Sequence, residues 1–76
     1  MPTYTYTVVF EPAEEGGFTV TVPALPGLVT EADTFEEARA MAEDAIRGYL
    51  KALRKRGDEI PLERGEPIAE TIIVTL

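Results

Sequence analysis

Residues 18–46 read FTVTVPALPGLVTEADTFEEARAMAEDAI, and this stretch decides the fold because its periodicity changes halfway along. Apolar residues alternate with threonines in Phe18–Val22, which predicts a strand with one apolar face. From Phe35 onward, apolar residues recur three and four positions apart, which predicts an amphipathic helix. A short β-prone run, Leu28–Ala32, lies between them. The stretch therefore predicts two strands followed by a helix.

The predicted helix carries signals at both ends. Thr34 and Glu37 fit a capping box, in which each side chain bonds a backbone N–H of the first turn. Asp33 adds negative charge at the positive end of the helix dipole. Gly57 is the expected stop, because glycine readily adopts the left-handed conformation that ends a helix. The helix should run over 35–56, about 33 Å at 1.5 Å per residue. Its apolar positions are Phe35, Ala38, Ala42, Ala45, Ile46, Tyr49 and Leu53.

A hairpin is predicted upstream of this stretch. Thr3–Phe10 alternates threonines with aromatic and β-branched residues, which predicts another strand. A polar turn at 11–17 contains Glu14, Glu15 and two glycines, and it connects this strand to the next. Both strands place apolar residues on one face and threonines on the other. The threonine face is expected to be solvated or to pair with another subunit.

Downstream of the helix, a loop with two prolines leads to Glu70–Leu76, which predicts a last strand. The order β-β-β-α-β predicts an α+β fold of two layers, with one helix packed on a four-stranded sheet. A right-handed crossover would place the last strand parallel to the first and beside it. With 76 residues and 8.3 kDa, the chain has room for one domain, 1–76.

Composition excludes several classes of chemistry. The chain has 14 acidic and 7 basic residues, a net charge of −7, and no cysteine, histidine or serine. Disulfides, cysteine or histidine metal sites and serine nucleophiles are therefore excluded, and no cofactor is expected. An acidic chain is a poor nucleic-acid binder but suits a basic partner. No apolar run resembles a membrane span or a signal peptide, so we expect a cytoplasmic protein.

The segment Pro23–Gly27 is the candidate contact surface. Proline and glycine at 26 and 27 suit a type II turn, but that turn does not require Pro23 or Leu25. Two prolines around a leucine make a stiff loop with an apolar tip, which serves either as a contact surface or as part of the core. The candidate partner contacts are Pro23, Leu25, Pro26, Gly27, Glu14 and Glu15.

These features together resemble the HicB-like antitoxin family. The family pattern is similar to P-x-L-P-G, a threonine, D-T-x-E-E-A and then a helix with A-x-x-A-I. It is matched here by Pro23, Leu25, Pro26, Gly27, Thr30, Asp33, Thr34, Glu37, Ala38, Ala42, Ala45 and Ile46. The resemblance implies a partial RNase H-like fold and a partner, a small basic HicA-like toxin that cleaves mRNA and is occluded by the antitoxin. Family members usually continue into a DNA-binding domain, which we expect to be absent from a chain that ends at Leu76.

Three functions remain open from the sequence. The first is an antitoxin module that neutralises a basic toxin without being an enzyme itself. The second is an orphan structural or regulatory module, with no toxin partner. The third is a metal-dependent nuclease, against which the acid-free segment Thr3–Phe10 argues, because RNase H-type sites resemble one another in placing an acid within the first strand. A small domain with an uncovered sheet face is also expected to form a homodimer or homotetramer and not to bind operator DNA by itself.

Overall fold

The computed structural model describes residues 2–65 and 67–76. Three strands, β1 (Val9–Pro12), β2 (Phe18–Thr21) and β3 (Val29–Ala32), precede one helix, α1 (Phe35–Arg56). β2 lies in the middle of the sheet and pairs antiparallel with both neighbours. The α+β class and the three-stranded meander predicted from the sequence are confirmed.

The hydrogen-bonded part of β1 is shorter than predicted. Pairing with β2 begins at Val9, which lies opposite Thr21. Two further steps in the same register would place Thr7 opposite Pro23, and proline has no amide hydrogen to donate. The prolines of the following loop therefore end the ladder, although Tyr6 and Val8 still pack against the core.

The helix follows its predicted bounds. Thr34 is the N-cap, and its hydroxyl accepts a hydrogen bond from the Glu37 amide at 3.1 Å. Gly57 ends the helix with φ 77°, and its amide donates to the Arg54 carbonyl. The Asp58 amide donates to the Leu53 carbonyl, which completes a Schellman motif. Local capping chemistry thus sets both ends of α1.

Two contiguous clusters form the core. In the first, Val20 of β2 meets Ala38 and Ala42 of α1, and all three side chains are buried. Because alanine side chains are short, the helix lies close to the sheet at this point. The second cluster is centred on Val22, Leu25 and Leu28. The helix packs over β2 and β3, whereas it meets β1 at the margin through the Phe10–Phe35 ring pair, with centroids 4.8 Å apart.

Within the described residues, the structure lacks the fourth strand that the sequence predicts at Glu70–Leu76. In the described residues the sheet has three strands, and residues 67–76 belong to none of them. Their apolar side chains are exposed, with Ile73 at 91% and Val74 at 74%. A strand needs a neighbour to satisfy its backbone groups, and no described segment of the chain pairs with these residues. The segment therefore lies outside the sheet that it was expected to extend.

The β1–β2 turn packs closely against the end of β3, as its two glycines show. Gly16 and Gly17 both have positive φ, 95° and 78°. A Cβ at Gly17 would lie 2.5 Å from the Ala32 carbonyl oxygen, whereas a Cβ at Gly16 would meet nothing within 4 Å.

We therefore expect Gly17→Ala to destabilise the fold more than Gly16→Ala. Both variants incur the left-handed backbone penalty of roughly 1–2 kcal/mol. Gly17→Ala adds a backbone clash of about 1–3 kcal/mol. Urea unfolding of the two variants measures the difference, and equal losses of stability would contradict the packing described.

Candidate partner-binding surface

The Pro23–Gly27 loop is built from two consecutive turns. The Leu25 amide donates to the Val22 carbonyl at 2.9 Å, and the Leu28 amide donates to the Leu25 carbonyl at 3.2 Å. Gly27 has φ 84°, as the third residue of a type II turn requires. The turn predicted at Pro26–Gly27 is confirmed, and two hydrogen-bonded turns in succession make the loop stiff.

Leu25 is a core residue and not an exposed tip. Its side chain is 0% exposed, and it packs with Val22 and Leu28 against the helix. The Tyr49 hydroxyl donates to the Pro26 carbonyl at 3.0 Å, which ties the loop to α1 from outside. Of the two roles that the sequence leaves open for this loop, the structure gives Leu25 the core position, because the two turns direct that side chain inward. Pro23, Pro26 and Gly27 are the exposed parts of the loop.

The acidic candidates Glu14 and Glu15 lie at the opposite end of the sheet. They belong to the turn that precedes β2, whereas Pro23–Gly27 follows β2. The two groups are therefore separated by the length of this strand, which is roughly 13 Å for four residues at 3.3 Å each. The structure does not bring the six candidate contacts into one patch.

Glu15 instead joins other acids around a shallow depression. Glu31 of β3 lies opposite Thr19 of β2, close to the hairpin end of the sheet. Glu15, Glu31, Asp33 and Glu37 line this depression together with Phe18, Thr19 and Met41. We call these four acids the acidic pole. Sequence reasoning missed Glu31, because its position beside the other three acids follows only from the register of β2 with β3.

Basic residues occupy the other end of the helix. Arg54, Lys55 and Arg56 form its last turn, where they complement the negative end of the dipole. Arg47 pairs with Glu43 at 3.6 Å and Arg56 with Asp58 at 3.1 Å, both on exposed surface. Since Glu36 and Glu37 lie in the first turn of the same helix, the molecule has an acidic and a basic end.

A hydrogen-bonded clasp joins the segment after the helix to the segment before β1. The Thr7 amide donates to Glu63 Oε1 at 2.6 Å, and the Thr7 hydroxyl donates to Glu63 Oε2 at 2.8 Å. The Tyr6 hydroxyl donates to the Pro61 carbonyl. Burial raises the pKa of Tyr6, and the charges of Tyr4 and Glu63 raise it further. The clasp thus ties the two terminal segments together through three hydrogen bonds.

No group of three or more acidic, histidine or cysteine side chains is placed to hold a metal ion within residues 2–65 and 67–76. Over the same residues, no helix combines the length and the apolar character needed to cross a membrane.

Comparison with known proteins identifies relatives along most of the chain. A family model described as the HicB-like antitoxin of a bacterial toxin–antitoxin system matches residues 6–73. A UPF0150 protein of Thermoplasma acidophilum is 41% identical over 63 residues, which are 83% of this chain and 91% of that protein. A UPF0150 protein of Synechocystis is 37% identical over 60 residues, which are 79% of this chain and 76% of that protein.

A named antitoxin is also similar. Antitoxin HicB 1 of Photorhabdus laumondii is 42% identical over 57 residues, which are 75% of this chain. The aligned part is 37% of that antitoxin, so this chain corresponds to about a third of it. The family match begins at Tyr6 and thus includes the clasp residues and the acidic pole.

Replacing Leu25 tests its structural role. We expect Leu25→Ala to lower the free energy of unfolding by about 2–5 kcal/mol, because it leaves a cavity in the second core cluster. Pro23→Ala, an exposed change in the same loop, is the matched control and should cost at most about 1 kcal/mol. Thermal and urea unfolding measure both variants. A Leu25→Ala protein as stable as the Pro23→Ala protein would contradict the buried position.

The raised pKa of Tyr6 predicts a loss of stability in alkali. The folded protein holds the phenol proton more tightly than the unfolded chain, so stability is full below the unfolded tyrosine pKa of about 10. It should fall as the pH rises through that value toward the folded pKa. Tyr6→Phe should reduce this alkaline loss. Unfolding measured between about pH 8 and 11 tests the effect, and parallel pH profiles for the two proteins would contradict it.

Proposed function

This chain belongs to the family of HicB-like antitoxins, and from that premise we propose that it binds and neutralises a small basic HicA-like toxin that cleaves mRNA. The observation that carries the proposal is the family match over residues 6–73, which spans the sheet, the helix and the clasp. Neutralisation here means that the bound chain covers the RNA-binding surface of the toxin, so that RNA and antitoxin compete for the same positive face.

Electrostatic complementarity supports this proposal. A protein that binds RNA needs a positive surface to contact phosphates. The acidic pole offers a matching negative surface, with four carboxylates around one depression and a net charge of −7 behind it. Exposed Phe35 and Met41 lie beside these acids and supply apolar contact area. Charge of this kind raises the association rate, while apolar contacts slow dissociation.

The exposed part of the Pro23–Gly27 loop is proposed as a second, smaller contact. Pro23, Pro26 and Gly27 present a rigid surface that loses little conformational entropy on binding. Leu25 supports this surface from beneath and does not touch the partner in this proposal. A toxin contacting both regions would lie along β2 and β3, from the hairpin end to the loop end.

The proposed role is binding without catalysis, in the cytoplasm, where mRNA is available. Two features of the sequence support this role: the chain has no histidine, and Thr3–Phe10 contains no acid, although β1 itself carries one acid, Glu11. We also propose that the protein acts as a homo-oligomer.

Charge reversal at the acidic pole tests this function. We expect Glu15→Lys to lower the association rate constant for the toxin encoded by a neighbouring gene, because it removes local attraction. Glu59→Lys is the matched control, since it changes the net charge equally but lies after the helix, at the basic end. Binding kinetics at several salt concentrations measure both, and the wild-type association rate should fall with salt.

Two results would contradict the proposal. If both variants slow association equally, the acidic pole is not the contact surface. If the wild-type chain binds no neighbouring toxin at low salt, the orphan-module alternative replaces the antitoxin function.

A further inference from the structure

The arm formed by residues 67–76 has the pattern of a strand but no strand partner. Ile72, Val74 and Leu76 alternate with residues 71, 73 and 75, two of which are threonines. Tyr4, Tyr6, Val8 and Phe10 alternate with threonines in the same way before and within β1. A strand with this pattern needs one buried face. In the described structure the apolar side chains of the arm are exposed instead.

The accessible surface and the radius of gyration show how much surface the exposed arm and the rest of the chain leave uncovered. The accessible surface is 6457 Å², whereas a compact chain of this mass is expected to expose about 4,600 Å². The radius of gyration is 14.5 Å, against about 11 Å for a compact domain of this length. The excess, roughly 1,900 Å², is more than the about 800 Å² per partner that a standard interface buries. The uncovered surface is therefore sufficient for a stable dimer.

A receiving site for a strand lies at the free edge of β1. Among the described residues, this strand pairs with β2 on one side only, so its other edge carries unpaired backbone groups. Next to this edge, a groove runs between residues 4–10 and residues 39–46 of α1. Its apolar lining includes Tyr4, Val8, Phe10, Ala42 and Ile46. The groove offers an incoming strand both a backbone edge and an apolar floor.

The chain's own arm does not occupy the free edge of β1 in the described structure. Glu63 bonds the Thr7 amide, and Pro61 lies at Tyr6, so residues 61–63 are anchored beside the residues that precede β1 and leave the edge of Val9–Pro12 open. Gly65, with φ 76°, instead turns the chain after the clasp. The molecule is elongated, with extents of 48, 27 and 19 Å along its three principal axes.

We propose that the arm of one copy pairs with the free edge of β1 in a second copy, and that the two copies exchange arms reciprocally. Ile72, Val74 and Leu76 then cover the apolar groove, and the threonines of the arm join the threonine face of the sheet. Such an exchange is an isologous contact with twofold symmetry, which closes at the dimer. The sheet of each copy then gains a fourth strand, which is supplied by the arm of the other copy.

Salt should act on this contact in the opposite direction from toxin binding. Each copy has a net charge of −7, so two copies repel each other, and added salt screens that repulsion. The arm itself carries only Glu70 as a charged residue, so the contact has few ion pairs to lose. Dimerisation should strengthen with salt, whereas association with a basic toxin should slow.

Light scattering on the full-length protein, without toxin, tests the arm exchange. The wild type should have twice the mass of one chain. Val74→Asp should have the mass of one chain, because it places a charge in the apolar groove. Thr75→Asp, the matched control, adds the same charge on the threonine side and should remain dimeric. A monomeric wild type, or a dimer that Val74→Asp leaves unchanged, would overturn the proposal and leave the antitoxin function standing.

Cysteine cross-linking distinguishes exchange between copies from closure within one chain. The natural chain has no cysteine, so introduced thiols are the only ones present. A Val9→Cys chain mixed with a tagged chain carrying Thr71→Cys, Ile73→Cys or Thr75→Cys should form a mixed disulfide between different chains in one of the three pairs. Chains carrying both substitutions that form disulfides only within single chains would overturn the exchange, as would failure of all three mixtures to cross-link.

Discussion

Burial of Val20 against Ala38 and Ala42 is the contact on which the rest of the fold depends. It places one helix on the middle strand, and a helix about 10 Å wide covers about two strands spaced 4.8 Å apart. Here those strands are β2 and β3. β1 is therefore left at the margin, with a free edge and an open groove beside it. The open groove is a consequence of covering a sheet with a single helix.

The same packing separates the molecule into regions with different roles. The helix begins beside the hairpin, through Phe35, and passes the Pro23–Gly27 loop at Tyr49. Acids that cap its first turn therefore join Glu15 and Glu31 at one end, and bases that complement its last turn lie at the other. Ordinary helix-end chemistry thus produces the acidic surface that a basic toxin would meet, and no catalytic group is needed for that role.

Features determined by local chemistry could be predicted from the sequence. Thr34 and Gly57 set both helix ends, and Pro26–Gly27 set its turn, because each acts on its immediate neighbours. Features that depend on which strands pair, and in which register, could not be predicted from the sequence. The early end of the β1 ladder requires knowing that Pro23 lies opposite Thr7, and the position of Glu31 in the acidic pole requires the register of β3. Burial of Leu25 requires the helix above it, which residue spacing within the loop does not reveal.

The position of the last segment, Glu70–Leu76, shows most clearly what could not be predicted from the sequence. Glu70–Leu76 has the composition of a strand, but pairing depends on which edge is open and which chain supplies it. The clasp joins Thr7 to Glu63, residues 56 positions apart, and in the described structure the chain beyond it does not pair with β1. Periodicity within the segment contains no information about such a contact.

Antitoxin function is tested most directly by RNA cleavage in the presence of the toxin encoded by a neighbouring gene. A fixed concentration of toxin is incubated with RNA and increasing amounts of this protein, and the rate of cleavage is measured. We predict that cleavage falls in proportion to added protein and stops when the toxin is saturated. Cleavage that continues at the original rate in the presence of excess folded protein would contradict the proposed function.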